Sequence, residues 1–184
     1  SRPIVALLPG SRHKEITRIL PLMLESAAMM AQRDDKLQFV IALASVRTLH
    51  EVQESCSIAV SSGLRLPDVL VTVQNETYNA LNAAAAAAVA SGTATLESGM
   101  IGTPMAIVYR TSSLNYKLIM PFISVEHFGL INLIAGERVV REMIQNEFTP
   151  EDLADELFRL LEPIVNSEIR AKLKQATDSL GQGG

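Results

Sequence analysis

Residues Ile4 to Leu8 form an unbroken apolar run that passes through Pro9-Gly10-Ser11-Arg12 into a long amphipathic segment. A strand that is apolar at every position has to be covered on both faces, the condition of a strand inside a parallel sheet. In the segment that follows, Ile16, Ile19, Leu20, Met23, Ala27, Met30 and Ala31 recur at three- and four-residue spacing. This marks one face of a helix, which Pro21 is expected to kink or split. Strand, tight turn and helix in that order are the unit from which crossover-connected sheets are built.

The unit recurs along the chain. Leu37 to Leu43 is the second strand candidate and Val46 to Ile58 the helix after it. Val69 to Val73 is the third strand, followed by a helix from Glu76 to about Ala84 with Asn75 as its cap. Ala83 to Ala88 are all alanine, helical by propensity, yet a strand is required just before Ser91, which places it at Ala86 to Ala90. A helix over Ala94 to Ile101 ends at Gly102, and Pro104 opens a fifth strand, Met105 to Tyr109.

Beyond Arg110 the pattern is helical and irregular. Leu114 to Ile123 is an apolar stretch expected to pack on the sheet or a partner, with lipid contact as the sharper alternative. Leu130 to Gly136 reads as a loop or short helix, Pro150 to Leu161 as a helix capped by Thr149, and Glu168 to Leu180 as a last helix before the terminal turn or linker Gly181 to Gly184. Five strands alternating with helices predict an α/β fold: a right-handed, doubly wound parallel sheet of Rossmann type, with its ligand in the crevice outside the carboxyl ends of the strands.

Two turns lie at that edge. At Gly10-Ser11-Arg12, unpaired backbone N–H groups and the positive end of a helix favour an anion; Ser11 offers a hydroxyl and Arg12 a charge-assisted pair. The plainer alternative has Ser11 capping the helix and Arg12 solvated. Ser91-Gly92-Thr93-Ala94-Thr95-Leu96-Glu97 repeats the arrangement after a small-residue strand. Glu97 is not at capping-box spacing from Thr93, so its carboxylate is either a ribose acceptor or a surface helix residue. Two such turns on one sheet point to a nucleotide diphosphate or nucleotide sugar.

Composition narrows the classes. With 184 residues, 48% hydrophobic and 20% charged, the chain can bury the core of one domain. A net charge of -4 argues against a nucleic-acid-binding surface. The single cysteine, Cys56, excludes an internal disulfide or a multi-thiolate metal site. The sequence lacks GxxxxGK[ST], GxGxxG and HExxH patterns, which disfavours ATPase, dehydrogenase and zinc hydrolase readings. Of the scattered histidines only His13, next to Arg12, is a candidate phosphate donor, and Asp34-Asp35 reads as a solvated pair. The chain has no apolar run of about 18 residues and is expected to be soluble, at most touching a membrane surface. Ser1-Arg2-Pro3 leads almost at once into a strand, with no initiator methionine, so the sequence is expected to be a piece of a longer one.

The segments LLPGSRHKEI, ASGTATLE, PMAIVYR and LINLIAGERVVREMIQ, in that order, closely resemble the carboxyl-terminal half of the lipid-A-disaccharide synthase family. The resemblance implies a GT-B glycosyltransferase in which this domain holds a UDP-2,3-diacylglucosamine donor. The sugar would go to 2,3-diacylglucosamine 1-phosphate with inversion, releasing UDP. It implies no catalytic residue in this chain, the base lying in the amino-terminal half, and no metal or cofactor. Gly10, Ser11 and Arg12 would hold the diphosphate with Ser91, Gly92, Thr93 and Thr95, Glu97 would bind the ribose, and Asn132 and Gln145 would approach the sugar or phosphates. Uracil would be read by backbone near Val71 to Asn75. Ile131 and Arg141 stand where the family often has proline. The lipid acceptor would reach the site through the other half, and the whole protein would be cytoplasmic, attached peripherally to the inner membrane, with a homodimer left open. Alternatives are another UDP-sugar transferase or epimerase domain and a non-catalytic nucleotide-sugar-binding module.

Overall fold

The computed structural model describes residues 2–45, 48–112 and 127–178. Strand β1 (Ile4–Leu8) leads into helix α1 (His13–Arg33), then β2 (Gln38–Leu43), α2 (Leu49–Ser61), β3 (Leu70–Gln74), α3 (Thr77–Ala83), β4 (Ala86–Ala90), α4 (Thr93–Ile101) and β5 (Met105–Tyr109). Helix α5 (Leu130–Ala135), strand β6 (Glu142–Ile144), a 3-10 turn (Gln145–Glu147), α6 (Pro150–Leu161) and α7 (Pro163–Asp178) complete the described chain. All strand pairs are parallel, in the order β3-β2-β1-β4-β5-β6. The expected doubly wound sheet is present, with one strand more than the five read from the apolar runs.

One face is covered by α1, flanked by α2 and α6, and the other by α3, α4, α5 and α7. The core follows from the alanine-rich centre. Ala86, Ala87, Ala88 and Val89 are fully buried between β1 and β5, and side chains this small let helices approach the sheet from both sides. Against them pack Ile16, Ile19, Leu20, Met23 and Leu24 of α1 and Leu153, Leu157 and Leu160 of α6, all essentially without exposure. Helix α1 runs unbroken through Pro21, which sits inside it without splitting it.

At the amino-terminal edge of the sheet, α7 is fastened by its polar residues. The Arg170 guanidinium donates to the Gly102 carbonyl at 2.8 Å and the Ala84 carbonyl at 3.3 Å, and the Asn166 amide donates to the Ala85 carbonyl at 2.8 Å. These bonds satisfy carbonyls at the ends of α3 and α4, groups that a helix leaves without an internal partner. Gly102 is left-handed (φ 81°), the conformation expected of the residue closing α4.

Several elements depart from the sequence reading. Helix α2 extends to Ser61 and not Ile58, while Val46 and Arg47 lie outside the described residues. Asn75 does not cap α3: it adopts φ 58° as the turn residue after β3, and Glu76 holds the cap position. Helix α7 begins at Pro163, ahead of the expected Glu168. The apolar stretch Leu114 to Ile123 and the terminal Gly181 to Gly184 lie outside the described residues.

Thr149 caps α6 as expected, its hydroxyl accepting from the Asp152 N–H at 3.1 Å and donating to the Asp152 carboxylate at 2.8 Å. That hydroxyl, with Arg141 assisting, holds the Asp152 carboxyl below its ordinary range. A carboxyl with a depressed folded pKa adds stability above its unfolded pKa and loses it as pH falls through the folded value. Thr149→Ala is therefore expected to move the Asp152 titration midpoint upward, followed by NMR. Ala88→Leu, which forces extra methylenes into a fully buried strand, is expected to cost about 1–3 kcal/mol in urea denaturation.

Candidate functional site

The strand order reverses between β1 and β4, whose register runs from Val5 opposite Ala86 to Leu8 opposite Val89. Their carboxyl ends are neighbours, but the helices that follow leave to opposite faces of the sheet. A crevice has to open between them. A cleft of about 310 Å³ occupies that position, lined at its floor by Leu8, Ala42, Ala44 and Ala90. Gly10, Ser11, Arg12 and Glu15 line one wall, and Ser91, Gly92, Thr93, Ala94 and Glu97 the other. Of the residues expected at a binding site, Gly10, Ser11, Arg12, Ser91, Gly92, Thr93 and Glu97 meet here.

The first wall is the start of α1. Gly10 has φ 108°, a conformation only glycine adopts without strain, and a Cβ there would lie 2.6 Å from Glu15 Oε2. Arg12, and not Ser11, is the residue preceding the helix. Its side chain is 82% exposed and donates to Glu15 Oε1 at 2.9 Å. The other oxygen, Glu15 Oε2, accepts from the Ser11 N–H at 3.1 Å and the Arg12 N–H at 3.3 Å. The turn therefore already holds an anionic group, the chain's own carboxylate.

The second wall is the start of α4, where the hydroxyls are divided between two jobs. Ser91 Oγ donates to the Phe128 carbonyl at 2.9 Å, and Thr95 Oγ1 donates to the Gly92 carbonyl at 2.8 Å. Thr95 is fully buried and does not line the cleft, so its hydroxyl shapes the turn. Thr93 and Glu97 are exposed at the rim.

Asn132 and Gln145 do not reach the cleft. Asn132 is fully buried; its amide nitrogen donates to the Val140 carbonyl and to Glu142 Oε1, each at 2.8 Å, while its oxygen accepts from the Val140 N–H at 3.0 Å. The same Glu142 carboxylate accepts from the Phe128 N–H at 2.9 Å and the Gly129 N–H at 3.0 Å. Gln145 clamps Thr111, accepting from its N–H at 2.8 Å and donating to its carbonyl at 3.2 Å. Both amides thus hold the loops beyond β5 and stand behind the cleft wall. His13 also turns away: its Nδ1 lies 3.1 Å from Glu51 Oε1, in a separate groove between α1 and α2. The Glu51 carboxyl is held below its ordinary range by a backbone hydrogen bond first and His13 second. Residues 71–75, the expected uracil readers, do not line the cleft, whereas Thr77 does.

Sequence reasoning passed over three of these residues. Glu15 stands at capping-box spacing from Arg12, a signal that was readable; Thr77 and Glu142 carried none, because Thr77 lines the cleft only through the folding of the sheet edge and Glu142 acts on Phe128, Gly129 and Asn132, ten or more residues away. Among the described residues, no group of three or more His, Cys, Asp or Glu side chains is gathered as metal ligands would be, and no helix is long and apolar enough to cross a membrane.

This sheet, with two helix starts facing each other across its switch point, is the Rossmann-like architecture of GT-B glycosyltransferase carboxyl-terminal domains. The C-terminal CMP-Kdo binding domain of WaaA from Acinetobacter baumannii matches it with a TM-score of 0.61 at 15% identity, covering 96% of this chain and 89% of that one. The C-terminal domain of a group 1 glycosyl transferase, LpcC, from Francisella tularensis matches at 0.57 and 15%, covering 98% and 85%. At such identities the likeness concerns the fold alone. A family model described as lipid-A-disaccharide synthetase matches residues 1–182. The lipid-A-disaccharide synthase of Geobacter metallireducens is 40% identical over 185 residues, 100% of this chain and 46% of its own length; that of Myxococcus xanthus is 37% identical over 183 residues, 99% and 46%. The chain belongs to the lipid-A-disaccharide synthase family and spans about half the length of the curated relatives it matches.

Asn132→Ala would strand the Val140 N–H and carbonyl in a fully buried position and remove one of the donors to the buried Glu142 carboxylate. The expected loss is about 2–4 kcal/mol in urea denaturation, against no more than about 0.5 kcal/mol for Thr93→Ala at the exposed rim.

Proposed function

We propose that this domain holds the UDP-2,3-diacylglucosamine donor of a lipid-A-disaccharide synthase. The whole protein transfers the diacylglucosamine to 2,3-diacylglucosamine 1-phosphate with release of UDP. The observation that carries this reading is the meeting of two helix-starting turns, one bearing Arg12, in a single cleft at the β1/β4 switch point. Family membership supplies the reaction; the cleft supplies the part of it that this domain performs.

The chemistry follows from where charge develops. As the glycosyl bond breaks, negative charge accumulates on the departing diphosphate. The turn at Ser11–Arg12, whose N–H groups meet Glu15, and the start of α4 flank that position from two sides, each at the positive end of a helix. Arg12, exposed at the mouth, follows the diphosphate and pairs with two of its oxygens. Glu97, one turn into α4 at the rim, accepts from the ribose hydroxyls. The acceptor and the base that deprotonates it belong to the other half of the protein. The whole protein meets its lipid substrates at the inner membrane's cytoplasmic face. Asn132, Gln145 and Glu142 act behind the cleft by fixing the loops that form its wall.

Calorimetric titration of this chain with UDP tests the reading. UDP is expected to bind, ADP at least about tenfold more weakly, and Arg12→Ala to lose about tenfold or more in UDP affinity, the worth of a charge-assisted pair. Equal binding of both nucleotides, or an Arg12→Ala variant that binds UDP as well as the parent chain, contradicts it.

A further inference from the structure

We propose that Glu15 is an internal competitor for the diphosphate, so that the donor enters the cleft by exchanging one anion for another. The inference rests on the donor-binding reading above and adds a residue that controls its affinity.

The geometry leaves little choice. Each backbone N–H has one proton to donate, and the two N–H groups of the turn that leads into α1, Ser11 and Arg12, are both directed at Glu15 Oε2. The second oxygen takes the Arg12 guanidinium. The carboxylate therefore occupies two backbone donors and the guanidinium that a phosphate at this turn would meet. It also lies close against Gly10, where a Cβ would come within 2.6 Å of Oε2 and 2.9 Å of Glu15 Cβ. A capping glutamate needs only the N–H of the residue before the helix; Glu15 takes the N–H of Ser11 and the Arg12 side chain as well.

Exchange is within reach because the bonds given up are weak ones. The Arg12–Glu15 pair opens to solvent on its Arg12 side, with Arg12 82% and Glu15 24% accessible, and an ion pair screened by water on one side holds little energy. A diphosphate carries more charge than a carboxylate and offers several oxygens to the same donors. Once Glu15 swings aside, Arg12, already poised at the mouth, transfers its guanidinium to the ligand. Glu15 keeps the empty turn satisfied and sets how readily UDP leaves.

The test compares the parent chain and Glu15→Gln for binding of UDP, pyrophosphate and uridine, followed by the Ser11 and Arg12 amide resonances. Glu15→Gln is expected to bind UDP and pyrophosphate about fivefold or more tightly, the worth of a charge-assisted bond no longer given up, with uridine unchanged. Unchanged or weaker UDP binding in Glu15→Gln, with the parent chain still binding UDP, overturns this inference and leaves the donor reading standing. Equal tightening of uridine also overturns it, because uridine has no phosphate to compete. Absence of UDP binding by both proteins overturns the donor reading and this inference together.

Discussion

The pairing of β1 with β4 is the contact on which the site depends, because two strands far apart in sequence become neighbours and send their helices to opposite faces. Had β1 been followed in space by its sequence neighbours alone, only one helix start would face any point on the sheet edge. The register sets the alignment: with Leu8 opposite Val89, the turns at Gly10–Arg12 and Ser91–Thr93 leave the sheet at the same level. That register is in turn permitted by alanine. Ala86, Ala87 and Ala88 give β4 too little bulk to push its neighbours apart, so α6 on one face and α4 on the other both close on the strand.

Two carboxylates show how differently one chemical group is used on either side of this cleft. Glu142 is buried and takes three donors from Phe128, Gly129 and Asn132, so removing it would leave several polar groups without partners in a place water does not reach. Glu15 also takes three donors, but at the mouth, beside an Arg12 side chain that is 82% exposed. Opening the first network is costly; the second, which we propose gives way to a ligand, has one partner largely open to solvent. A binding site needs both, a wall that keeps its shape and donors that can be released to a ligand.

Much of the fold was legible because burial on two faces leaves a sequence trace. Ile4–Leu8 and Met105–Tyr109 are apolar throughout, and β4 was located inside an alanine run by the need for a strand before Ser91, against its helical propensity. Strand β6 was not legible. It has three residues, begins with Glu142, and lies at the sheet edge, so it lacks the length and the apolar pattern that mark its partners. Pro21 was misleading for the opposite reason, since a helix of 21 residues packed on the sheet tolerates the loss of one internal hydrogen bond. The site was readable as two turns and unreadable as directions. Asn132 and Gln145 stand in motifs that resemble binding segments, but which way an amide points is decided by a Val140 or Thr111 backbone that no spacing rule names.

The second turn shows why the motif carries so many small hydroxyl residues although few of them face a ligand. A helix start binds an anion through N–H groups, and those groups converge only if the turn before them is held in shape. Ser91 holds it from outside by bonding the Phe128 carbonyl, which Glu142 fixes in turn through the Phe128 and Gly129 N–H groups. Thr95 holds it from inside by bonding the Gly92 carbonyl. Gly92 to Ala94 then present backbone to the cleft, with Thr93 the one hydroxyl of the turn directed at neither job. The hydroxyls of Ser91 and Thr95 thus shape the turn, and the chain from Ser91 through Phe128 to Glu142 and Asn132 joins the cleft to the sheet edge at β6.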